Sequence, residues 1–89
     1  MDRVLLATRA ARDLRRLGPG PELDRIEAAL RRLGDGEANL DIKPLTGSAP
    51  WLRLRVGDWR ILFRQADATL LVARIIHRRE LQQAVRTLE

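Results

Sequence analysis

Eighty-nine residues, 45% hydrophobic and 33% charged, describe one modest globular domain over residues 1–89 rather than a disordered chain. The absence of cysteine excludes a disulfide frame and a thiolate metal site, and a single histidine, His77, argues against a histidine cluster, so neither metal nor cofactor is expected. Seventeen basic against twelve acidic residues leave a net charge of +5, which points to a polyanionic partner, either nucleic acid or an acidic protein segment.

The N-terminus has no signal pattern and no apolar run approaches membrane-spanning length, so a cytoplasmic protein without a membrane partner is expected. The charge is uneven. Residues 1–50 hold nine basic and eight acidic groups, and residues 51–89 hold eight and four. The excess is all arginine, whose planar fork favours bidentate contact with phosphate or carboxylate.

In chain order, "RVLLAT" at residues 3–8 reads as a short strand, and Thr8 can cap the helix "RAARDLRRL" that follows. Ala7, Ala10, Ala11, Leu14 and Leu17 recur there at helical spacing. Gly18 ends this helix within "GPGP", and Pro21 suits the first turn of a second, with Glu22 and Asp24 near its positive end. Leu23, Ile26, Leu30 and Leu33 form the second apolar stripe, closed by Gly34 to Gly36. The arginines on the outer faces of both helices are interleaved with acids and read as a solvated surface.

Residues 37–50 are irregular and contain Lys43 and Pro44, with a turn at residues 47–50. Three β-rich runs follow, at 51–56, 59–65 and 69–76, and the tail "RRELQQAVRTL" has the spacing of a short terminal helix.

The second half turns on "WLRLRVGDWRILF". If Gly57–Asp58 is a two-residue hairpin loop, Val56 faces Trp59, Arg55 faces Arg60, Leu54 faces Ile61, Arg53 faces Leu62 and Leu52 faces Phe63. One face then gathers Leu52, Leu54, Val56, Trp59, Ile61 and Phe63, which the helices should cover. The other gathers Trp51, Arg53, Arg55, Arg60, Leu62 and Arg64. A one-residue slip would mix the two sets. Arg55 opposite Arg60 opposes folding, since like charges repel across strands, so the second face reads as an anion-binding platform. The third run brings His77, Arg78 and Arg79 to a strand end, where His77 is a candidate for proton transfer or phosphate contact. The face taken by Arg74 stays open.

The order "ATRAARDLRRL", "IKPLTG", "WLRLRVGDWRILF" and "RIIHRRE" resembles the RelE/ParE superfamily of toxins from bacterial type II toxin–antitoxin systems over essentially the whole chain. The resemblance implies an α+β fold, a mostly antiparallel four-stranded sheet with an N-terminal helical hairpin on one face, in the order β-α-α-β-β-β plus a short C-terminal helix. It implies a cognate antitoxin as partner, in a toxin–antitoxin hetero-oligomer. RelE-like members cut mRNA in the ribosomal A site by attack of the 2′-hydroxyl on the adjacent phosphate.

On that pattern Arg60 matches the strand arginine that stabilises the phosphate, Arg78 the later arginine, Arg53 a strand lysine and His77 the proton mover. Arg55, Arg64, Arg79, Trp51 and Lys43 would contact nucleic acid, Trp51 either by stacking on a base or as a rim residue that the antitoxin covers. The chain has no tyrosine, a residue that many active RelE-like enzymes carry near the C-terminus. Two alternatives stay open: a ParE-like inhibitor of DNA gyrase without nuclease chemistry, and a non-toxic antitoxin-binding module.

Overall fold

The computed structural model describes residues 2–88. β1 (Arg3–Leu6) leads into α1 (Thr8–Leu17), and α2 (Pro21–Gly34) completes a helical hairpin. β2 (Ile42–Pro44), β3 (Leu52–Val56), β4 (Trp59–Ala66) and β5 (Thr69–His77) follow, then a 3-10 turn (Arg78–Glu80) and α3 (Leu81–Arg86). The strands form one sheet in the order β1-β5-β4-β3-β2, antiparallel except where β1 lies parallel to β5.

The sheet has five strands rather than four. The extra strand is β2, whose three residues pair with Leu52 to Leu54 at the sheet edge, a position that tolerates Pro44 and its missing N–H. β1 ends two residues earlier than its apolar run suggested. The Ala7 N–H still bonds the Val72 carbonyl at 2.8 Å, and Ala7, not Thr8, is the cap of α1, with no side-chain cap bond.

The β3–β4 hairpin has the expected register, from Leu52 opposite Phe63 to Val56 opposite Trp59. Gly57 takes φ 59° in its turn, which glycine accepts without strain. Ala10 of α1 and Ile26, Ala29 and Leu33 of α2 bury against Leu54, Ile61, Phe63, Leu70, Val72 and Ile75. Gly34 lets α2 close on β1, since a Cβ there would lie 3.0 Å from Val4 Cγ2 and 3.3 Å from the Asp2 carbonyl.

A second apolar cluster lies on the opposite face. Ala84 of α3, with Leu81, Val85 and Leu88 around it, packs on Leu45, Trp51, Leu62 and Ile76. The arginine face is therefore not one open platform; α3 covers part of it. Removing a large apolar side chain from water contributes about 1.5–3 kcal/mol, so this cover adds appreciably to a small domain. The apolar Trp51 and Leu62, out of place in a basic set, were the signal for it.

β5 outruns β1, which leaves its edge bare beyond Val72. Asp13 closes that gap. Its Oδ2 accepts from the Ile75 N–H at 2.9 Å and from Arg74 Nε at 2.9 Å, and its Oδ1 from Arg74 Nη2 at 3.2 Å. A bulge decides the face of Arg74: Leu62 pairs with Arg74 and Phe63 with Val72, so Ala73 is the extra residue.

Candidate nucleic-acid interface

The half of the face that α3 leaves bare is where the basic residues gather. Lys43 on β2 stands opposite Arg53 on β3, and Arg55 on β3 stands opposite Arg60 on β4. Side chains directly opposite share a face with Cβ atoms about 4.5–5.5 Å apart, so the ladder itself holds these cations together. Arg60 curls onto the hairpin turn, donating from Nη1 to the Gly57 carbonyl at 2.9 Å and the Trp59 carbonyl at 3.0 Å. Partial burial, and then the charges of Arg53, Arg55 and Arg78, push the Arg60 pKa below the ordinary arginine value, with Asp41 pulling the other way. Arginine begins so high that the group stays charged at physiological pH.

Two carboxylates temper the cluster. Asp41, which the sequence reading missed, meets Arg53 Nη1 at 3.2 Å and Arg55 Nη1 at 3.9 Å. It immediately precedes β2 and is placed by that strand, so nothing marked it while residues 37–50 read as irregular. Asp58 lies 3.8 Å from Arg78 Nε, and its carbonyl accepts the Arg78 N–H at 2.8 Å, which ties the end of β5 to the hairpin turn. Four arginines and Lys43 against two partly exposed acids leave a net positive strip.

The other candidate residues fall elsewhere. Trp51 is 6% exposed beneath α3, which rules out stacking on a base. Arg64 is separated from Arg60 by the buried Leu62 and lies about 13 Å along the strand, at 3.3 Å per residue. Its guanidinium sits 5.8 Å from the Trp51 ring, and its Nε is buried without a hydrogen-bond partner. Arg79 is exposed in the 3-10 turn.

His77 stands on the helix-covered face, opposite the one that carries Arg60. It pairs with Trp59, their rings 5.5 Å apart and edge-on, while Trp59 Nε1 donates to Glu22 Oε2 at 3.1 Å. His77 Nδ1 accepts the Arg79 N–H at 3.3 Å and the His77 N–H donates to Glu80 Oε1 at 3.1 Å, a reciprocal cap on the 3-10 turn. With Nδ1 accepting, the neutral ring carries its proton on Nε2. The geometry gives His77 a capping position rather than a place beside the arginines.

The chain matches the family model of the ParE toxin of type II toxin–antitoxin systems over residues 4–82. It belongs to that family. Among solved structures it is similar to the RelB–RelE antitoxin–toxin complex of Methanococcus jannaschii, with 26% identity, a TM-score of 0.74 and 90% of this chain covering 96% of that one. It shares its fold with YafQ from E. coli at 15% identity and TM-score 0.76, over 91% and 98% of the chains. The YoeB/ParE toxin of Agrobacterium tumefaciens has the same fold at 17% identity and TM-score 0.68, over 84% and 96%. No curated protein matches the sequence significantly. A type II toxin with a RelE-like fold thus presents a sheet face that is half basic and half apolar.

Proposed function

We propose that this toxin is a ribosome-dependent mRNA endonuclease whose basic strip grips the phosphate being cut. The observation that carries the reading is the gathering of Arg53, Arg55, Arg60 and Arg78, with Arg55 directly opposite Arg60 and Arg78 tied to the hairpin turn through the Asp58 carbonyl. The substrate's 2′-hydroxyl oxygen attacks the adjacent phosphorus and the bond to the 5′-oxygen breaks, leaving a 2′,3′-cyclic phosphate and a 5′-hydroxyl. Negative charge gathers on the phosphate oxygens meanwhile, and fixed guanidinium groups stabilise it without reorganising. With His77 turned to the other face, water carries the proton from the 2′-hydroxyl to the 5′-oxygen, and the enzyme works by positioning and electrostatics. A cognate antitoxin, as in the RelB–RelE and DinJ–YafQ complexes, would neutralise the strip.

Primer extension on ribosomes stalled on a defined mRNA tests this. The parent should cut in the A-site codon, and Arg60→Ala should cut about 10²–10³-fold more slowly, the usual loss for one transition-state donor. A second reading, a gyrase poison without chemistry, draws on the position of His77 and on the lack of tyrosine. No cut, with gyrase-dependent DNA breaks in cells, would establish it instead.

A further inference from the structure

The two helices of the hairpin differ in charge, four arginines against one acid on α1 and three against three on α2, and folding widens the difference. On α2, Glu22, Asp24 and Glu27 offset Arg25, Arg31 and Arg32, and Arg32 also pairs with Glu37 at 2.8 Å. On α1, Arg9, Arg12, Arg15 and Arg16 are all exposed, and the one acid, Asp13, is 7% exposed and committed to Arg74 and the Ile75 N–H. Among the described residues no carboxylate pairs with any of these four arginines. The interleaving acid has been taken out of play.

At 3.6 residues per turn, Arg9, Arg12 and Arg16 fall within an arc of roughly 60°, with Arg15 beside it, and Arg9 to Arg16 spans about 10 Å along the axis. The opposite side of α1 is the core side, with Ala10, Leu14 and Leu17. Arg9 shares a groove with Arg74 and Thr87, and Arg16 lines a cleft with Trp59 and Glu80. The stripe therefore follows the β5 edge of the molecule, and its Arg16 end reaches a cleft also lined by Trp59 and Ile76, neighbours of Arg60. Like charges three and four apart destabilise a helix, and Arg12 makes such pairs with Arg9, Arg15 and Arg16.

We propose that the outer face of α1 is a second anion-binding surface, whose occupant is the sugar–phosphate backbone of double-helical RNA. The inference rests on the reading that this toxin acts on RNA. An acidic protein segment would need apolar area to bury, and among the described residues the exposed large apolar side chains, Leu5, Leu6 and Ile42, lie on strands rather than on α1. A phosphate backbone needs no such floor, because counterion release supplies the binding. Arginine forks meet phosphate oxygens in pairs and fix register without reading sequence.

The test uses the full chain carrying Arg60→Ala, so that the sheet site is weakened and cutting is slowed, on RNA free of ribosomes. A short blunt RNA duplex is titrated at several salt concentrations. Replacing Arg9, Arg12 and Arg16 together by Gln should weaken binding about 10-fold or more and flatten the salt slope by about two to three phosphate contacts. Replacing Arg25, Arg31 and Arg32 by Gln removes the same charge from α2 and should change binding only about threefold or less, as should Lys at all three α1 positions. Equal losses from the two Gln triples would overturn the proposal in favour of net charge alone. Unchanged binding in the α1 triple would also overturn it, as would a poly-glutamate peptide that competes for α1 more strongly than the duplex. Should the α1 triple not fold, Arg12→Gln alone should flatten the slope by about one contact, and an unchanged slope would overturn the proposal. Cleavage does not enter this assay, so its outcome is separate from that of the endonuclease reading.

Discussion

On one face of one sheet, two strips lie side by side and serve opposite ends. Beneath α3, Trp51, Leu62 and Ile76 are buried, and they stabilise the domain. Beside them Lys43 and Arg55 are exposed and Arg53 and Arg60 partly buried, with Arg55 directly opposite Arg60. The first strip is what a sequence selected for folding would place there. The second opposes folding and is explained by what it holds. A small domain that buries one half of a face keeps enough stability to leave the other half charged.

The difference can be broken most severely on the buried side. Trp51→Ala should lower the unfolding free energy by about 3–5 kcal/mol in denaturant titration, because it removes the centre of the α3 contact. Asp13→Ala belongs in the same range, about 3–5 kcal/mol, since it leaves Arg74 unpaired at 14% side-chain exposure and the Ile75 N–H without an acceptor. Adding Arg74→Met should recover part of that loss, which separates the stranded charge from the lost edge bond.

The Asp13 hydrogen bond raises the Arg74 pKa above the ordinary value. A raised folded-state value means that this contribution is complete below the unfolded pKa and is lost only as pH climbs through the folded one. Arg74 titration should therefore leave stability level through neutral and mildly alkaline pH, as thermal melts would check. Trp59→Phe keeps an aromatic ring but removes the indole N–H that bonds Glu22, and losing that bond should cost about 0.5–1.5 kcal/mol.

How much of this was legible in the sequence depended on whether a signal was local. The hairpin register could be read because Leu52, Leu54, Val56, Trp59, Ile61 and Phe63 alternate without a break across a two-residue turn. Helix α2 announced itself by Pro21, its acids and its stripe. β2 could not be read, because three residues including Lys43 and Pro44 become a strand only when β3 offers an edge. The faces of Arg74 and His77 hung on the bulge opposite Leu62 and Phe63, which shifts parity along β5 and has no mark in a run of alternating residues. Burial of Trp51 depended on where α3 folds back, a matter of tertiary packing that the spacing of Leu81, Ala84, Val85 and Leu88 leaves open.

The smallest expected change in stability gives the sharpest test, because it should move stability and activity in opposite directions. Arg55 is half exposed, lies 3.9 Å from Asp41 and faces Arg60 across the strands. Arg55→Thr replaces a repelling pair with a residue that strands favour, and should leave stability unchanged or raise it by about 0.2–1 kcal/mol. The measurement is one preparation of this variant and its parent, melted thermally and assayed for A-site cleavage on stalled ribosomes. The expected result is a melting temperature no lower than the parent's, together with slower cleavage. A lower melting temperature with undiminished cleavage would make Arg55 an ordinary structural residue and contradict it.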